Sequence, residues 1–139
     1  MAYNKDNVFA QILRGEMPSH PVFEDEKTYA FMDIMPASSG HTLVIPKSEA
    51  ENIFELSPGY VGAVAKTTKL VAAAIKKALR PSGIIITQIN GPDAGQTVFH
   101  YHMHIIPVYS EKPMKVHMNK TENKEALELT AIAIKKRLG

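Results

Sequence analysis

The stretch GQTVFHYHMHIIP, residues 95–107, places three of the chain's six histidines at alternate positions. Successive side chains of a β-strand point to opposite faces, so a strand here would separate the histidines from their apolar neighbours. One face would carry Val98, His100, His102 and His104. The opposite face would carry Phe99, Tyr101, Met103 and Ile105. The apolar face suits packing against a core, so the sequence predicts that the histidine face is either a functional site or exposed to water.

The histidine face has two interpretations that involve no covalent chemistry. Exposure to water by chance is the simplest, but strand positions that face water usually carry Thr, Lys or Glu. Metal binding is the second, because two histidines two residues apart on a strand can reach one zinc ion. No Asp or Glu lies between Gln96 and Ser110. A zinc site here would therefore need a ligand from elsewhere in the chain.

Chemistry on a phosphoryl group is the third interpretation. Neutral imidazole is a competent nucleophile near neutral pH, and a neighbouring histidine can protonate a leaving group or hold phosphate oxygens. A hydrogen bond to the far ring nitrogen would leave the near nitrogen unprotonated and oriented. The preceding loop suits a phosphate, because Gly95 is flexible, Gln96 brings an amide and Thr97 brings a hydroxyl.

Composition limits the class of protein but names no partner. The 139 residues are 45% hydrophobic and 22% charged, which is typical of one soluble globular domain spanning residues 1–139. A net charge of +2 is too small to indicate binding to nucleic acid or to an anionic membrane. The chain has no cysteine, so it has neither a disulfide framework nor a thiol nucleophile. Without a signal peptide or a membrane-spanning segment, we expect a cytoplasmic protein.

The remaining segments alternate between strand and helix signals. Helices are predicted in a short N-terminal segment that Asp6 caps and Gly15 ends, at residues 48–56, from Pro58 to about Leu79, and at residues 124–139. Strands are predicted at residues 22–23 and 29–34, which form a hairpin, and at residues 40–47 and 83–90. No repeat or low-complexity tract interrupts this order, so no internal domain boundary is expected.

Two stretches carry a resemblance to a known family. GPDAGQTVFHYHMHIIP, residues 91–107, resembles the histidine triad (HIT) signature, in which His-x-His-x-His follows a Gly-Gln-Ser/Thr-Val step. NVFAQILRGEMPSHPVFEDEKTYAFMDIMPASSGHTLVIPK, residues 7–47, is similar in order and spacing to the N-terminal half of small HIT hydrolases. Together the two stretches span most of residues 7–107.

The resemblance implies a fold and a reaction. The implied fold is α+β, with an antiparallel sheet flanked by helices, one long central helix and a C-terminal helix. Two subunits would join their sheets into a homodimer with one nucleotide site in each. In the implied reaction the middle histidine, His102, attacks the α-phosphate, and water then hydrolyses the nucleotidyl-histidine.

The resemblance also assigns roles to individual residues. His104 would contact the α-phosphate oxygens, and His100 and His41 would orient the nucleophile. Asp33 would accept hydrogen bonds from both ribose hydroxyls. The base would lie in a slot formed by Phe9, Ile12 and Ile34, and the phosphate side would be contacted by Asn90, Gln96, Thr97 and Val98.

Several of these residues have a structural interpretation as well. Without the resemblance, Phe9, Ile12 and Ile34 would be predicted as core residues. Asp33 would be predicted to cap a turn and His41 to be a structural strand histidine. His20 and His117 match no motif and are predicted to lie on the surface.

The chain also departs from the family pattern. Zinc-binding members carry a Cys-x-x-Cys near the start, whereas NVFAQ has no cysteine, so neither a structural metal nor another cofactor is expected. Ile89 replaces an amide residue of many bacterial members, and Val108 stands where many have Arg. The first functional hypothesis is hydrolysis of a nucleoside 5′-phosphoramidate. The alternatives are hydrolysis of dinucleoside polyphosphates, a purine-nucleotide-binding module with little turnover, and metal-dependent hydrolysis.

Overall fold

The computed structural model describes residues 2–111 and 121–139. Five strands form one sheet in which every pair of neighbours is antiparallel, and three α-helices accompany it. The strands are β1 (Pro21–Glu24), β2 (Thr28–Met32), β3 (Thr42–Pro46), β4 (Gly83–Gln88) and β5 (Met103–Val108). The helices are α1 (Val8–Leu13), α2 (Pro58–Leu79) and α3 (Lys124–Lys135). This arrangement confirms the predicted α+β class, the antiparallel sheet, the long helix and the C-terminal helix.

The strand order is β1-β2-β3-β5-β4, so the histidine-bearing β5 lies between β3 and β4. His104 pairs with Leu43 on one side and with Thr87 on the other. Strand β4 forms an edge of the sheet, and its side chains are largely exposed.

Alternation along the strands divides the core between the two faces of the sheet. Ala30, Met32, Val44 and Ile105 belong to the larger cluster, which includes side chains of α2 and α3. Phe31, Leu43 and Ile45 point the other way and pack with Phe9 of α1. His104, the sequence neighbour of Ile105, therefore lies on the α1 side of the sheet.

Each helix begins at a residue that suits a helix start. Pro58 opens α2, where a proline loses no intrahelical hydrogen bond, and the left-handed Arg80 before Pro81 ends it. Asn123 caps α3 by accepting hydrogen bonds from the backbone N–H groups of Glu125 and Ala126. None of the helices in the described part of the chain combines the length and apolar character that crossing a membrane requires.

Several predicted boundaries and one predicted helix were wrong. Strands β1, β3 and β4 span residues 21–24, 42–46 and 83–88 rather than 22–23, 40–47 and 83–90, and α3 ends at Lys135 rather than at Gly139. Asn7 rather than Asp6 caps α1, because its side chain accepts the Ala10 N–H. Strand β2 ends at Met32 rather than Ile34, since the Asp33 carboxylate accepts the Met35 N–H and turns the chain.

Residues 48–56 form turns instead of a helix. The Asn52 side chain accepts the N–H groups of Phe54 and Glu55 and so competes with helical hydrogen bonding. The histidine strand begins only at Met103, because the Tyr101 N–H donates to the Ala50 carbonyl rather than to a neighbouring strand.

Candidate active site

A cavity of about 750 Å³ lies on the α1 side of the sheet. Nine of the twelve predicted site residues line it: Phe9, Ile12, Asp33, Ile34, Gln96, Thr97, Val98, His102 and His104. His41 and His100 are fully buried behind this lining, and Asn90 lies outside it. The structure therefore brings the predicted residues together in two layers, one facing the cavity and one supporting it.

His102 has one ring nitrogen held by the backbone and one free. Its Nδ1 lies 2.6 Å from the His100 carbonyl oxygen. A carbonyl can only accept, so Nδ1 carries the proton and the Nε2 lone pair is exposed. No described residue hydrogen-bonds to Nε2, and the Phe9 ring contacts the imidazole edge-on at a centroid distance of 4.9 Å. An unprotonated nitrogen is thus held in a fixed orientation at the cavity wall.

A hydrogen-bond chain that begins at a backbone amide fixes His104. The Ala37 N–H donates to His41 Nδ1 over 3.0 Å, so His41 carries its proton on Nε2. That Nε2–H donates to His104 Nδ1, also over 3.0 Å. His104 must then hold its own proton on Nε2. Through this series of hydrogen bonds the Ala37 N–H fixes an N–H donor on His104 at the cavity. The His104 ring lies beside His102, at a ring-centroid distance of 4.9 Å.

Both ring nitrogens of His100, the residue whose carbonyl contacts His102, are hydrogen-bonded. Its Nε2–H donates to the Pro46 carbonyl over 2.8 Å, which leaves Nδ1 as an acceptor. The Tyr3 hydroxyl donates to that Nδ1. Every described buried side-chain nitrogen and oxygen has a hydrogen-bond partner, so these tautomers are mutually consistent.

Burial keeps all four of these histidines neutral at neutral pH. Desolvation is the main cause that lowers the pKa of His41 to about 3 and the pKa values of His100 and His104 to about 4. The pKa of His102 is also lowered, mainly by burial. The cavity wall therefore presents a neutral ring with a free lone pair and a neutral N–H donor rather than imidazolium groups.

Asp33 combines a free carboxylate oxygen with proximity to the histidine chain. Its Oδ1 accepts the Met35 N–H over 2.8 Å, and its Oδ2 lies 3.5 Å from His41 Nε2. Burial raises the pKa of Asp33 to about 6, so the carboxylate is mostly ionised at neutral pH. It can accept further hydrogen bonds from a ligand in the cavity.

Asp33, His41 and His104 are close enough to be considered as metal ligands, with one ligand atom from each within 4.8 Å of the others. The hydrogen-bond chain argues against this use. Because the Ala37 N–H occupies His41 Nδ1, binding a metal through Nε2 would require an imidazolate anion. Asp33, His41 and His104 are therefore better suited to hydrogen bonding than to binding a metal ion.

Two predicted phosphate contacts instead shape the loop. Both N–H groups of the Gln96 side chain are used, one by the Glu51 carbonyl and one by the Val98 carbonyl. The Asn90 amide accepts the Ile53 N–H and pairs with Gln88. The Gln96 side chain therefore has no free N–H for a phosphate, and Asn90 uses its oxygen and one of its two N–H groups to hold the neighbouring chain.

The backbone of the same loop offers other donors. Among the described residues, no acceptor is recorded for the N–H groups of Thr97 and Val98. Successive backbone N–H groups of this kind can bind an anion. Thr97 and Val98 line the cavity, and their contact with a phosphate stays a prediction.

Sequence reasoning missed the groups that set the tautomers. Tyr3 lies outside both stretches that resemble the family, and Ala37 and Pro46, which lie inside one of them, act through their backbone groups, to which no role was assigned. Gly40 gives a signal only in retrospect: its φ of +94° favours glycine before His41, and a Cβ there would also press on the Leu79 side chain. His20 is half-buried rather than on the surface, and His117 lies outside the described residues.

Comparison with known proteins agrees with this geometry. The family model described as the HIT domain matches residues 14–111. The chain is 46% identical over 108 residues to Protein hit from Bacillus subtilis (strain 168), covering 75% of this chain and 72% of that protein. It is 35% identical over 132 residues to Adenylylsulfatase HINT3 from Arabidopsis thaliana, covering 91% of this chain and 66% of that protein.

A solved structure shares the whole fold. The crystal structure of a Hit-like protein involved in cell-cycle regulation from Bartonella henselae, with an unknown ligand, superposes with a TM-score of 0.91 at 39% identity. The match covers 99% of this chain and 100% of that one.

Proposed function

Since the chain belongs to the histidine triad family of nucleotide hydrolases and transferases, we propose that it hydrolyses nucleoside 5′-phosphoramidates at the α-phosphate through a nucleotidyl-histidine. The observation that carries this proposal is the pairing at the cavity wall of two neutral rings with opposite roles. His102 presents a lone pair on Nε2, and His104 presents an N–H on Nε2. Such a pair can attack a phosphorus atom and hold its oxygens at the same time.

In the first step His102 Nε2 forms a bond to the α-phosphorus, and the bond from phosphorus to the amine nitrogen breaks. The nitrogen keeps the electron pair and takes a proton from water. His102 becomes positively charged, and its Nδ1–H strengthens its hydrogen bond to the His100 carbonyl. The hydroxide left by that water then attacks phosphorus, which releases the nucleotide and restores neutral His102.

The phosphoryl oxygens would be held by neutral donors. These are His104 Nε2–H, the Thr97 hydroxyl and the N–H groups of Thr97 and Val98. Asp33 would accept the ribose hydroxyls, and the apolar slot of Phe9, Ile12 and Ile34 would take a purine base.

The absence of cations favours a substrate with a single charged phosphoryl group. No Lys or Arg occurs among the described residues that line the cavity, and its histidines are neutral. Each further phosphate would bring charge that proteins normally meet with Arg or Lys, at about 1.5–3 kcal/mol for each charged hydrogen bond. An amine leaving group adds no negative charge, whereas the second nucleotide half of a dinucleoside polyphosphate adds several.

Hydrolysis of adenylyl sulfate is a second candidate. It is favoured by the 35% identity to a relative named Adenylylsulfatase. The same lack of cations in the described lining places it behind the phosphoramidate, because sulfate leaves as an anion.

The test is a comparison of kcat/KM for an adenosine phosphoramidate, adenylyl sulfate and diadenosine polyphosphates on the same enzyme. We expect the phosphoramidate to be fastest. His102→Ala should abolish turnover and the covalent adenylyl-protein while leaving AMP binding nearly intact. His20→Ala, at a half-buried histidine outside this cavity, is the matched control. A preference for the polyphosphates would refute the substrate, and AMP binding without turnover of any of them would instead support a binding module.

We also propose that the 139 residues act as one domain and pair as a homodimer through the edge strand β4. Ile85 and Ile86 on this strand are 42% and 49% exposed, and an exposed apolar edge strand is a template for pairing with a second copy. Sedimentation of the wild-type protein and of Ile86→Lys tests this, since the charge should shift the equilibrium toward monomer.

A further inference from the structure

Tyr3 contacts the histidine cluster although it lies outside both stretches that resemble the family. Its hydroxyl is within hydrogen-bonding distance of His100 Nδ1, and its ring packs edge-on against the same imidazole at a centroid distance of 5.6 Å. Burial raises the pKa of Tyr3, so the hydroxyl keeps its proton and can donate. His100 itself is fully buried.

Tyr3 is the donor that the tautomer of His100 requires. Because His100 Nε2–H donates to the Pro46 carbonyl, Nδ1 must accept a hydrogen bond or remain unpaired in the interior. No other described group is recorded as donating to this nitrogen. Without the hydroxyl, Nδ1 is left without a donor, and the bond from Nε2–H to the Pro46 carbonyl is the one recorded hydrogen bond that still holds the ring among the described residues.

The backbone at His100 depends on these side-chain contacts. Residues 100–102 precede β5, so strand pairing does not hold them, and the Tyr101 N–H bond to the Ala50 carbonyl is their one recorded backbone anchor in the described chain. The His100 carbonyl is the acceptor for His102 Nδ1–H at 2.6 Å. A displaced His100 side chain therefore moves the group that orients the nucleophile.

We propose that Tyr3 is a positioning residue for the phosphoryl-transfer step, which acts by holding the His100 ring in place and, through the His100 carbonyl, the orientation of His102. This inference rests on the proposed function for its kinetic consequence. Its structural content, the position of His100 and the hydrogen bond from His102 to the His100 carbonyl, does not depend on which substrate is hydrolysed.

The N-terminal segment is built to hold Tyr3 in place. Asn4 accepts both the backbone N–H and the side-chain N–H of Asn7, the residue that caps α1. Arg14, just after α1, donates to the Lys5 carbonyl over 2.7 Å. The segment is thus fastened to the helix that supplies Phe9 to the cavity, so Tyr3 and Phe9 contact the histidines as one unit.

The test removes only the hydroxyl, in Tyr3→Phe, with Tyr109→Phe as the matched control. The Tyr109 hydroxyl, like that of Tyr3, donates one hydrogen bond, in its case to the Ser39 carbonyl, and Tyr109 does not line the cavity. We measure single-turnover rates on an adenosine phosphoramidate, AMP dissociation constants, Tm, and the nitrogen chemical shifts of the labelled imidazoles.

For Tyr3→Phe we expect the single-turnover rate to fall roughly tenfold, by analogy with the loss of partners that orient functional histidines. AMP affinity should stay within twofold of wild type and Tm should match that of Tyr109→Phe. The shifts should report loss of the hydrogen bond at His100 Nδ1 and a weakened bond from His102 Nδ1–H to the His100 carbonyl. An unchanged rate with unchanged His102 shifts would overturn the proposal.

Loss of AMP affinity and Tm in proportion to the rate would also overturn it, because that pattern describes a general structural residue. If the wild-type protein does not hydrolyse the phosphoramidate, the proposed function fails on its own. The imidazole shifts of Tyr3→Phe then still decide the positioning role, since unchanged His102 shifts contradict it and a weakened bond from His102 Nδ1–H to the His100 carbonyl supports it.

Discussion

His41 gives the sharpest test of the hydrogen-bond chain, because it touches His104 but does not line the cavity. In His41→Ala, His104 Nδ1 loses its only recorded donor among the described residues, and the Ala37 N–H loses its acceptor. His104 is then free to carry its proton on Nδ1. In that tautomer it would present a lone pair, not an N–H, to the phosphoryl oxygens.

Two limiting cases give the range of the rate loss expected for His41→Ala. If His104 lost its donor role completely, the loss would match that of an oxyanion-hole donor, about a hundredfold to a thousandfold. If only the hydrogen bond between the rings were lost, its net value of about 0.5–1.5 kcal/mol corresponds to roughly twofold to tenfold. We therefore expect the chemical step of His41→Ala to slow about tenfold to a hundredfold.

His41→Gln is the companion variant, because its side-chain amide can supply both an acceptor for the Ala37 N–H and a donor for His104. It should recover part of the rate lost in His41→Ala. Single-turnover rates and AMP dissociation constants are measured for both variants, and AMP affinity should change little. If the single-turnover rate of His41→Ala lies within twofold of that of the wild type, the hydrogen-bond chain from Ala37 to His104 does not control the chemical step. A large fall of Tm in both variants would show that His41 is a structural strand histidine.

Two further predictions concern Asp33 and acid stability. Asp33→Ala should weaken binding of AMP about tenfold more than binding of 2′-deoxy-AMP in titration calorimetry, because AMP alone offers the 2′-hydroxyl to the lost acceptor; equal losses would remove the ribose role. The free energy of unfolding should fall on acidification. In the folded protein His41, His100 and His104 have pKa values of about 3, 4 and 4 and stay neutral near pH 5. In the unfolded chain the same histidines have a pKa of about 6.5 and each binds a proton at that pH. Asp33 acts in the opposite direction, because with a pKa of about 6 it binds one proton in the folded protein that it does not bind in the unfolded chain. The unfolded chain therefore binds about two more protons than the folded protein near pH 5. The free energy of unfolding, measured by urea titration, should change by about 3 kcal/mol per pH unit there. Stability independent of pH between about 6 and 4.5 would contradict the burial of neutral histidines.

The fold was predictable where the hydrophobic period was unambiguous. Helix α2 runs from Pro58 to Leu79 as predicted, because a proline start and a buried stripe including Val64, Val71 and Ile75 leave few alternatives. The alternation around the histidines also predicted that Tyr101 and Ile105 would lie in the core.

Predictions failed where a single polar side chain decided the backbone. Asn52 holds residues 48–56 in turns, and Asp33 ends β2 by accepting the Met35 N–H. Both segments contain acceptable helix or strand formers, so propensity alone favoured the wrong element. Asp33 itself still donates its N–H to the His41 carbonyl and follows the alternation of Phe31, which places its side chain on the cavity side.

The chemistry of the site divides in the same way. A sequence pattern specifies which residue types meet, and the alternate histidines indicated the cluster from the sequence alone. It does not specify which nitrogen carries each proton. Those protons are placed by the Ala37 N–H, the Pro46 carbonyl and the His100 carbonyl, which are backbone groups that any residue could supply. The nucleophile and the donor are thus identical side chains made different by their supporting backbone, which is why the two supporting histidines matter as much to the proposed reaction as the two at the cavity wall.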